Sequence, residues 1–163
     1  MAFTYESVRS ERLLDETNWA ILDALQEDAR MSYAELGRRV NMSPPGVAER
    51  VQRLVEAGVI EGFHARLNPA KIGYPIRAVI RIDTQGHMNV PRKTQLFERL
   101  PGVIEAHRTT GVDCYIVQVI ARDIKRLEEI IDMLNTVGQT TTAMVLHSPL
   151  ARKSIGPDGE DGE

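Results

Sequence analysis

The chain has 163 residues, 42% apolar and 26% charged, ordinary globular values that exclude a wholly disordered chain and a fibrous repeat. No run approaches the roughly 18 apolar residues a membrane span needs; the opening MAFTYESVRSER lacks the apolar core of a signal peptide, so a cytoplasmic protein is expected. The single cysteine, Cys114, excludes an internal disulfide and a cysteine-cluster metal site, and a net charge of −3 from 20 basic and 23 acidic residues excludes a bulk-basic nucleic-acid binder but not a local basic face.

Residues 1–13 carry mixed charge without clear periodicity and read as a loose arm. From Leu14 the pattern turns helical: Leu14, Ile21, Leu22 and Leu25 form one stripe, with Trp19 beside it and partly buried. Asp15 is a plausible N-cap, with Glu16 in the first turn complementing the helix dipole. A second helix opens at Ser32, whose spacing to Glu35 is that of a capping box. Leu36 and Val40 form its apolar face, and Asn41 suits its end. Ser43 followed by Pro44 starts a third helix almost at once. A helical wheel turns its Val47, Val51, Leu54 and Val55 inward, and it ends at Gly58. Val59 to Leu67 alternates loosely and reads as a short hairpin or wing. Asn68, Pro69, Gly73 and Pro75 punctuate a linker.

The second half has a different rhythm. Ile76 to Thr84 alternates as a strand, with Ile76, Ala78, Ile80 and Ile82 on one face and Arg77, Arg81 and Asp83 partly on the other. A turn over 85–89 leads to a helix carrying Leu96, Phe97 and Leu100, stopped by Pro101-Gly102. Val103 to Thr110 is a predicted strand, Gly111 a turn, and Cys114 to Ala121 a strongly apolar strand. Asp123 caps a helix with Leu127, Ile130, Ile131 and Leu134 on its stripe, Gly138 ends it, and Thr140 to His147 is a last strand. The order β-α-β-β-α-β is the ferredoxin-like split arrangement, with both helices on one face of a four-stranded sheet. Apolar residues on both faces of the Cys114–Ala121 strand point to a partner for the open face. The acidic, glycine-rich tail over 151–163 is expected to be disordered and solubilising.

The most informative segment is SYAELGRRVNMSPPGVAERVQRLVEAGVI. Two short helices joined by a tight turn, with a third helix before them, follow the helix-turn-helix plan, in which the last helix enters the major groove of double-stranded DNA. The wheel points Pro45, Gly46, Glu49, Gln52 and Arg53 outward, with Arg50 on the flank. Small residues at the helix start allow close approach, and the helix N-termini at Ser32 and Ser43 offer backbone amides to phosphates. Arg50 and Arg53 can reach phosphates or guanine edges, and Gln52 suits adenine. Residues 31–71 hold six basic and four acidic side chains, a locally positive stretch in an acidic chain. The four histidines, His64, His87, His107 and His147, lack close metal-ligand spacing, although His107 and His147 sit on different predicted strands that can meet in space. No metal site, cofactor or catalytic set is expected. Cys114 reads as a small buried hydrophobe without a base to activate it, and no phosphate-cradling glycine loop is present.

The combination of segments is more specific than any one of them. LDETNWAILDALQEDARMSYAELGRRVNMSPPGVAERVQRLVEAGVIEGFHARLNPAKIGY resembles the DNA-binding half of the Lrp/AsnC (leucine-responsive, or feast/famine) transcriptional regulators. EAHRTTGVDCYIVQV and TTTAMVL resemble the strand-turn-strand and last strand of the family's regulatory RAM domain. The resemblance spans roughly residues 14–150. It implies an α+β chain with a winged helix-turn-helix domain over 14–62, a linker over 63–75 and a ferredoxin-like RAM domain over 76–150. It further implies homodimers formed through the RAM sheets, often assembled into tetramers or octamers, and effector sites at RAM interfaces, usually for amino acids. Carried over by motif, Gly111 and Asp113 lie on the effector-loop turn, although the family's turn often has its acidic residue one position later. An amino-acid ligand needs acceptors for its ammonium and donors for its carboxylate. Asp113 suits the first, and backbone amides near Gly111 with the hydroxyls of Thr109, Thr140 or Thr142 suit the second. Two other readings share the plan. Siroheme decarboxylases would need histidine, basic residues and an aromatic-rich strand that EAHRTTGVDCYIVQV does not supply. An effector-independent architectural protein would bind DNA broadly through several helix-turn-helix units.

Overall fold

The computed structural model describes residues 13–84, 90–150 and 152–157. The arm, the 85–89 turn with His87, and the last residues of the tail fall outside them. The chain divides into two compact units, residues 1–66 with 150–163, and residues 67–149.

The first unit contains α1 (Glu16–Glu27), α2 (Tyr33–Val40) and α3 (Pro44–Glu56). Each helix starts where its cap residue dictates. Asp15 accepts from Asn18 N–H at 2.7 Å. Ser32 and Glu35 form a complete capping box, and Ser43 accepts from Gly46 N–H with Pro44 in the first turn. Asn41 adopts the left-handed conformation (φ 52°) that ends α2 and turns the chain into α3. The approach is close: a Cβ on Gly37 would lie 2.5 Å from the Met42 carbonyl oxygen, so only glycine lets α2 pass the turn. Ile21, Leu22 and Leu25 of α1, Leu36 of α2, and Val47, Val51 and Leu54 of α3 form the core, with Trp19 half-buried against it.

Two details differ from the sequence reading. Val55 is exposed (43%) rather than buried, because three inward positions on this short helix already fill the space against α1 and α2. Val59 to Leu67 forms no strand. Val59 and Ile60 pack onto the helical core, but residues 61–68 run exposed and irregular, and no strand occurs among the described residues of that unit for them to pair with. Pro69–Ile72 then makes one 3₁₀ turn closed at Gly73.

The second unit contains β1 (Ile76–Asp83), α4 (Val90–Arg99), β2 (Val103–Arg108), β3 (Tyr115–Ala121), α5 (Ile124–Asn135) and β4 (Gln139–Met144). The strands form one antiparallel sheet in the order β2-β3-β1-β4, the ferredoxin-like order. Register fixes the faces, because directly opposed residues share one. Ala78, Ile80 and Ile82 stand opposite Val119, Val117 and Tyr115, and all six are buried with Phe97, Leu100, Leu127, Ile130 and Leu134. Phe97 meets Tyr115 edge-on, ring centroids 5.2 Å apart. Tyr115 to Ala121 alternates strictly between buried and half-buried. The open face presents Val79, Ile116 and Ile120 among Arg77, Arg81 and Gln118.

Candidate DNA-binding face and effector site

The outward face of α3 forms as the wheel predicts: Pro45, Glu49, Gln52 and Arg53 are exposed, and Gly46 is half-buried beside the cap. These side chains pair along the helix. Arg53 bonds Glu49 one turn back, and Gln52 Nε2 donates to Glu56 Oε1 at 2.8 Å. Ser32 and Ser43 use their hydroxyls as caps, so each presents a fixed helix N-terminus rather than a free hydroxyl.

Arg50 stands apart. Its Nη1 reaches both Asp15 oxygens (3.0 and 2.7 Å) and Asn18 Oδ1 (3.0 Å), tying α3 to the start of α1. This hydrogen bond is the main reason that the Asp15 carboxyl sits below its ordinary pKa; burial opposes the shift, and the Asn18 amide and the arginine charge support it. Arg50 thus braces the recognition helix rather than lying on its exposed face. Sequence reasoning placed it on the flank correctly, but its partner lies 35 residues away and only packing brings the two together. Arg38 of α2 is exposed and forms no direct ion pair among the described residues, although, secondary to the hydrogen bonds from Ser32, its charge helps hold the Glu35 carboxyl below its ordinary pKa; the sequence reading counted it in the local basic stretch but did not assign it to the DNA-binding face. Arg39 is held by Glu27 at 2.6 Å, and that carboxylate raises its pKa.

In the sheet unit, the turn between β2 and β3 brings Thr109 and Asp113 together. Thr109 Oγ1 donates to the Asp113 carbonyl, and Thr109 N–H donates to the Cys114 carbonyl at 3.0 Å. Gly111 sits at φ 103°, a conformation that an L side chain rarely adopts, with open space where its Cβ would be. The Asp113 carboxylate lies 3.4 Å from Arg81 on the open face of β1. The sequence reading placed Arg81 on that face but did not assign it to the site. Thr140 and Thr142 do not join this cluster. They stand opposite Ile82 and Ile80 on the helix-covered face, and the Thr140 hydroxyl donates to Asn135 on α5. Thr141, opposite Arg81, is the β4 threonine that shares the open face. The run of three threonines hides which ones face outward; only the register decides.

Cys114 is half-buried and accepts from the Thr84 hydroxyl at 3.2 Å. His107 bonds Glu105 at 2.8 Å. Within the chain it does not meet His147: the last strand ends at Met144 rather than at His147 as expected, and β2 and β4 are opposite edges of the sheet. No group of three metal-ligating side chains occurs among the described residues.

The chain thus joins a helix-turn-helix unit to a ferredoxin-like sheet unit, the plan of a DNA-binding domain followed by a regulatory one. Residues 14–55 match the AsnC-type helix-turn-helix domain, and residues 77–155 match the Lrp/AsnC ligand binding domain. The chain is 43% identical over 118 residues to an HTH-type transcriptional regulator of Pyrococcus abyssi, covering 72% of this chain and 74% of that one. It is 31% identical over 144 residues to the regulatory protein AsnC of Escherichia coli, covering 86% and 95%. Among solved structures, Bacillus subtilis LrpC superposes with a TM-score of 0.79 at 27% identity over 85% of this chain and 99% of that one. The Neisseria meningitidis regulator NMB0573, solved as an L-Met complex, superposes with the same TM-score at 25% identity over 87% and 96%. The chain belongs to the Lrp/AsnC family of transcriptional regulators. The relatives named here are transcriptional regulators.

Proposed function

We propose that the protein is a sequence-specific DNA-binding regulator whose grip on DNA responds to a free amino acid through a change in its assembly. The observation that carries the effector half is the Arg81–Asp113 pair beside the Thr109–Gly111 turn. A guanidinium and a carboxylate 3.4 Å apart match the two charges of a zwitterion: the arginine suits the carboxylate and the aspartate the ammonium. The pair is partly exposed, so a ligand can part it without a large desolvation cost. The L-Met complex of the Neisseria relative supports the ligand class. On the DNA side, α3 presents Pro45, Gly46, Glu49, Gln52 and Arg53 to the major groove, the caps at Ser32 and Ser43 direct backbone amides at phosphates, and Arg50 holds the helix in place.

The open sheet face pairs with a second copy, and two recognition helices then meet half-sites separated by about 34 Å or a multiple of it. An effector that favours one assembly by about 1–3 kcal/mol changes DNA affinity about 5- to 150-fold. The test is sedimentation with and without a pooled set of amino acids, run beside a gel shift against the DNA upstream of the protein's own gene. The expected outcome is a linked change in assembly and shift that Arg81→Ala abolishes while leaving the ligand-free shift intact. A shift that no amino acid alters would sink the effector reading and favour an architectural role.

A further inference from the structure

The chain passes between its two units twice, leaving the helical unit after Arg66 and returning at Leu150. One side chain anchors the return. The Gln26 carboxamide, near the end of α1, donates from Nε2 to the Ile155 carbonyl at 2.9 Å and accepts at Oε1 from the Ile155 N–H at 2.8 Å. A primary amide that satisfies both backbone groups of one residue imitates strand pairing and fixes the local chain direction.

Arg152 and Lys153 are exposed and lie three and two residues before this clasp, within about 11 Å along an extended chain. Neither has a carboxylate partner among the described residues. They join a unit poor in free cations. Residues 13–66 contain nine carboxylates and six arginines, and three of those arginines, Arg39, Arg50 and Arg53, are already paired. Affinity for duplex DNA depends on cations that displace its counterions, and the helical unit supplies few. The position is also suitable. Gln26 is six residues before the Ser32 cap of α2, and in the helix-turn-helix plan that helix crosses the phosphate backbone.

Resting on the DNA-binding reading above, we propose that residues 152–157 form a strap of the DNA-binding unit. Arg152 and Lys153 contact the phosphate backbone of duplex DNA, and the Gln26–Ile155 pairing holds them there.

The test measures binding of the full chain to a mixed-sequence duplex across a salt series. Each phosphate contact contributes about 0.9 to the slope of log affinity against log salt. R152Q/K153Q is therefore expected to lower the slope by nearly two, so that a fourfold rise in salt costs about 10-fold less affinity than in the parent. Q26L keeps both cations; it is expected to lower the slope in the same direction and to speed deuterium exchange at the Ile155 amide. A chain ending at Pro157 repeats the comparison without the four carboxylates of residues 158–163. If the parent binds no duplex, the DNA-binding reading itself fails. If the parent binds and R152Q/K153Q leaves the slope unchanged, the strap's contacts are overturned and DNA binding stands. If Q26L changes neither slope nor exchange, the clasp is overturned.

Discussion

Arg50 shows how far a side chain's role depends on its partner. As a residue type on a recognition helix it suggests DNA contact, yet its guanidinium closes on Asp15 and Asn18 at the start of α1. The consequence is pH-dependent. Asp15 has a depressed pKa in the folded state, so its contribution is complete above the unfolded aspartate value of about 3.9 and is lost as pH falls through the folded value. The helical unit is expected to lose thermal stability in that acid window, and Asp15→Asn should flatten the loss there. Asp15→Ala also removes the cap, which typically costs about 1 kcal/mol. A melting series from neutral to acid pH checks both; an identical acid profile in Asp15→Asn would contradict the assignment. Arg50→Ala is expected to lower the melting temperature as well as weaken DNA binding, whereas Arg53→Ala, at an exposed position, should weaken binding with little change in melting.

Among the elements, the turn between α2 and α3 is the most constrained. Asn41 supplies the left-handed residue and Gly37 the space for the Met42 carbonyl. Gly37→Ala would force backbone against Cβ. It is expected to destabilise the helical unit by about 1–3 kcal/mol, the usual range for overpacking, despite alanine's better helix propensity. Thermal unfolding measures the sign directly: a stabilised Gly37→Ala variant would show that the turn can open at little cost. In the sheet unit the comparable feature is register. One residue's slip in β4 would exchange Thr141 for its neighbours on the open face and remove it from Arg81.

For the whole molecule, the open sheet face is the surface proposed above to pair with a second copy. Val79 lies near its centre, opposite Gln118 and Ala143, between Arg77 and Arg81 on the same strand. Val79→Lys adds a third cation there and touches no helix, so the fold is expected to persist by far-ultraviolet circular dichroism while sedimentation reports a smaller species. An unchanged sedimentation coefficient would place the contact between copies elsewhere.

Much of this architecture was legible in the sequence because it rests on local rules. Asp15, Ser32, Ser43 and Asp123 cap helices wherever they precede an apolar helical stripe, and Asn41 terminates one, since these effects act over three or four residues. Strand alternation assigned Ile76, Ala78, Ile80 and Ile82 to one face for the same reason. The family resemblance rested on motif order along the chain, and order survives without coordinates. The site was less legible. Thr140 and Thr142 were expected beside Asp113, but the register turns them toward α5; Arg81, 32 positions before Asp113, joins it only when β1 pairs with β3. Arg50's brace and Gln26's hold on Ile155 span 35 and 129 positions. The sequence alone determined the three capped helices of the first unit, the β-α-β-β-α-β order of the second and the family, through short-range propensities and periodicity, but not the irregular path of Val59 to Leu67. Tertiary structure alone decided which side chains meet, because a contact across the chain depends on register and packing that no local pattern encodes.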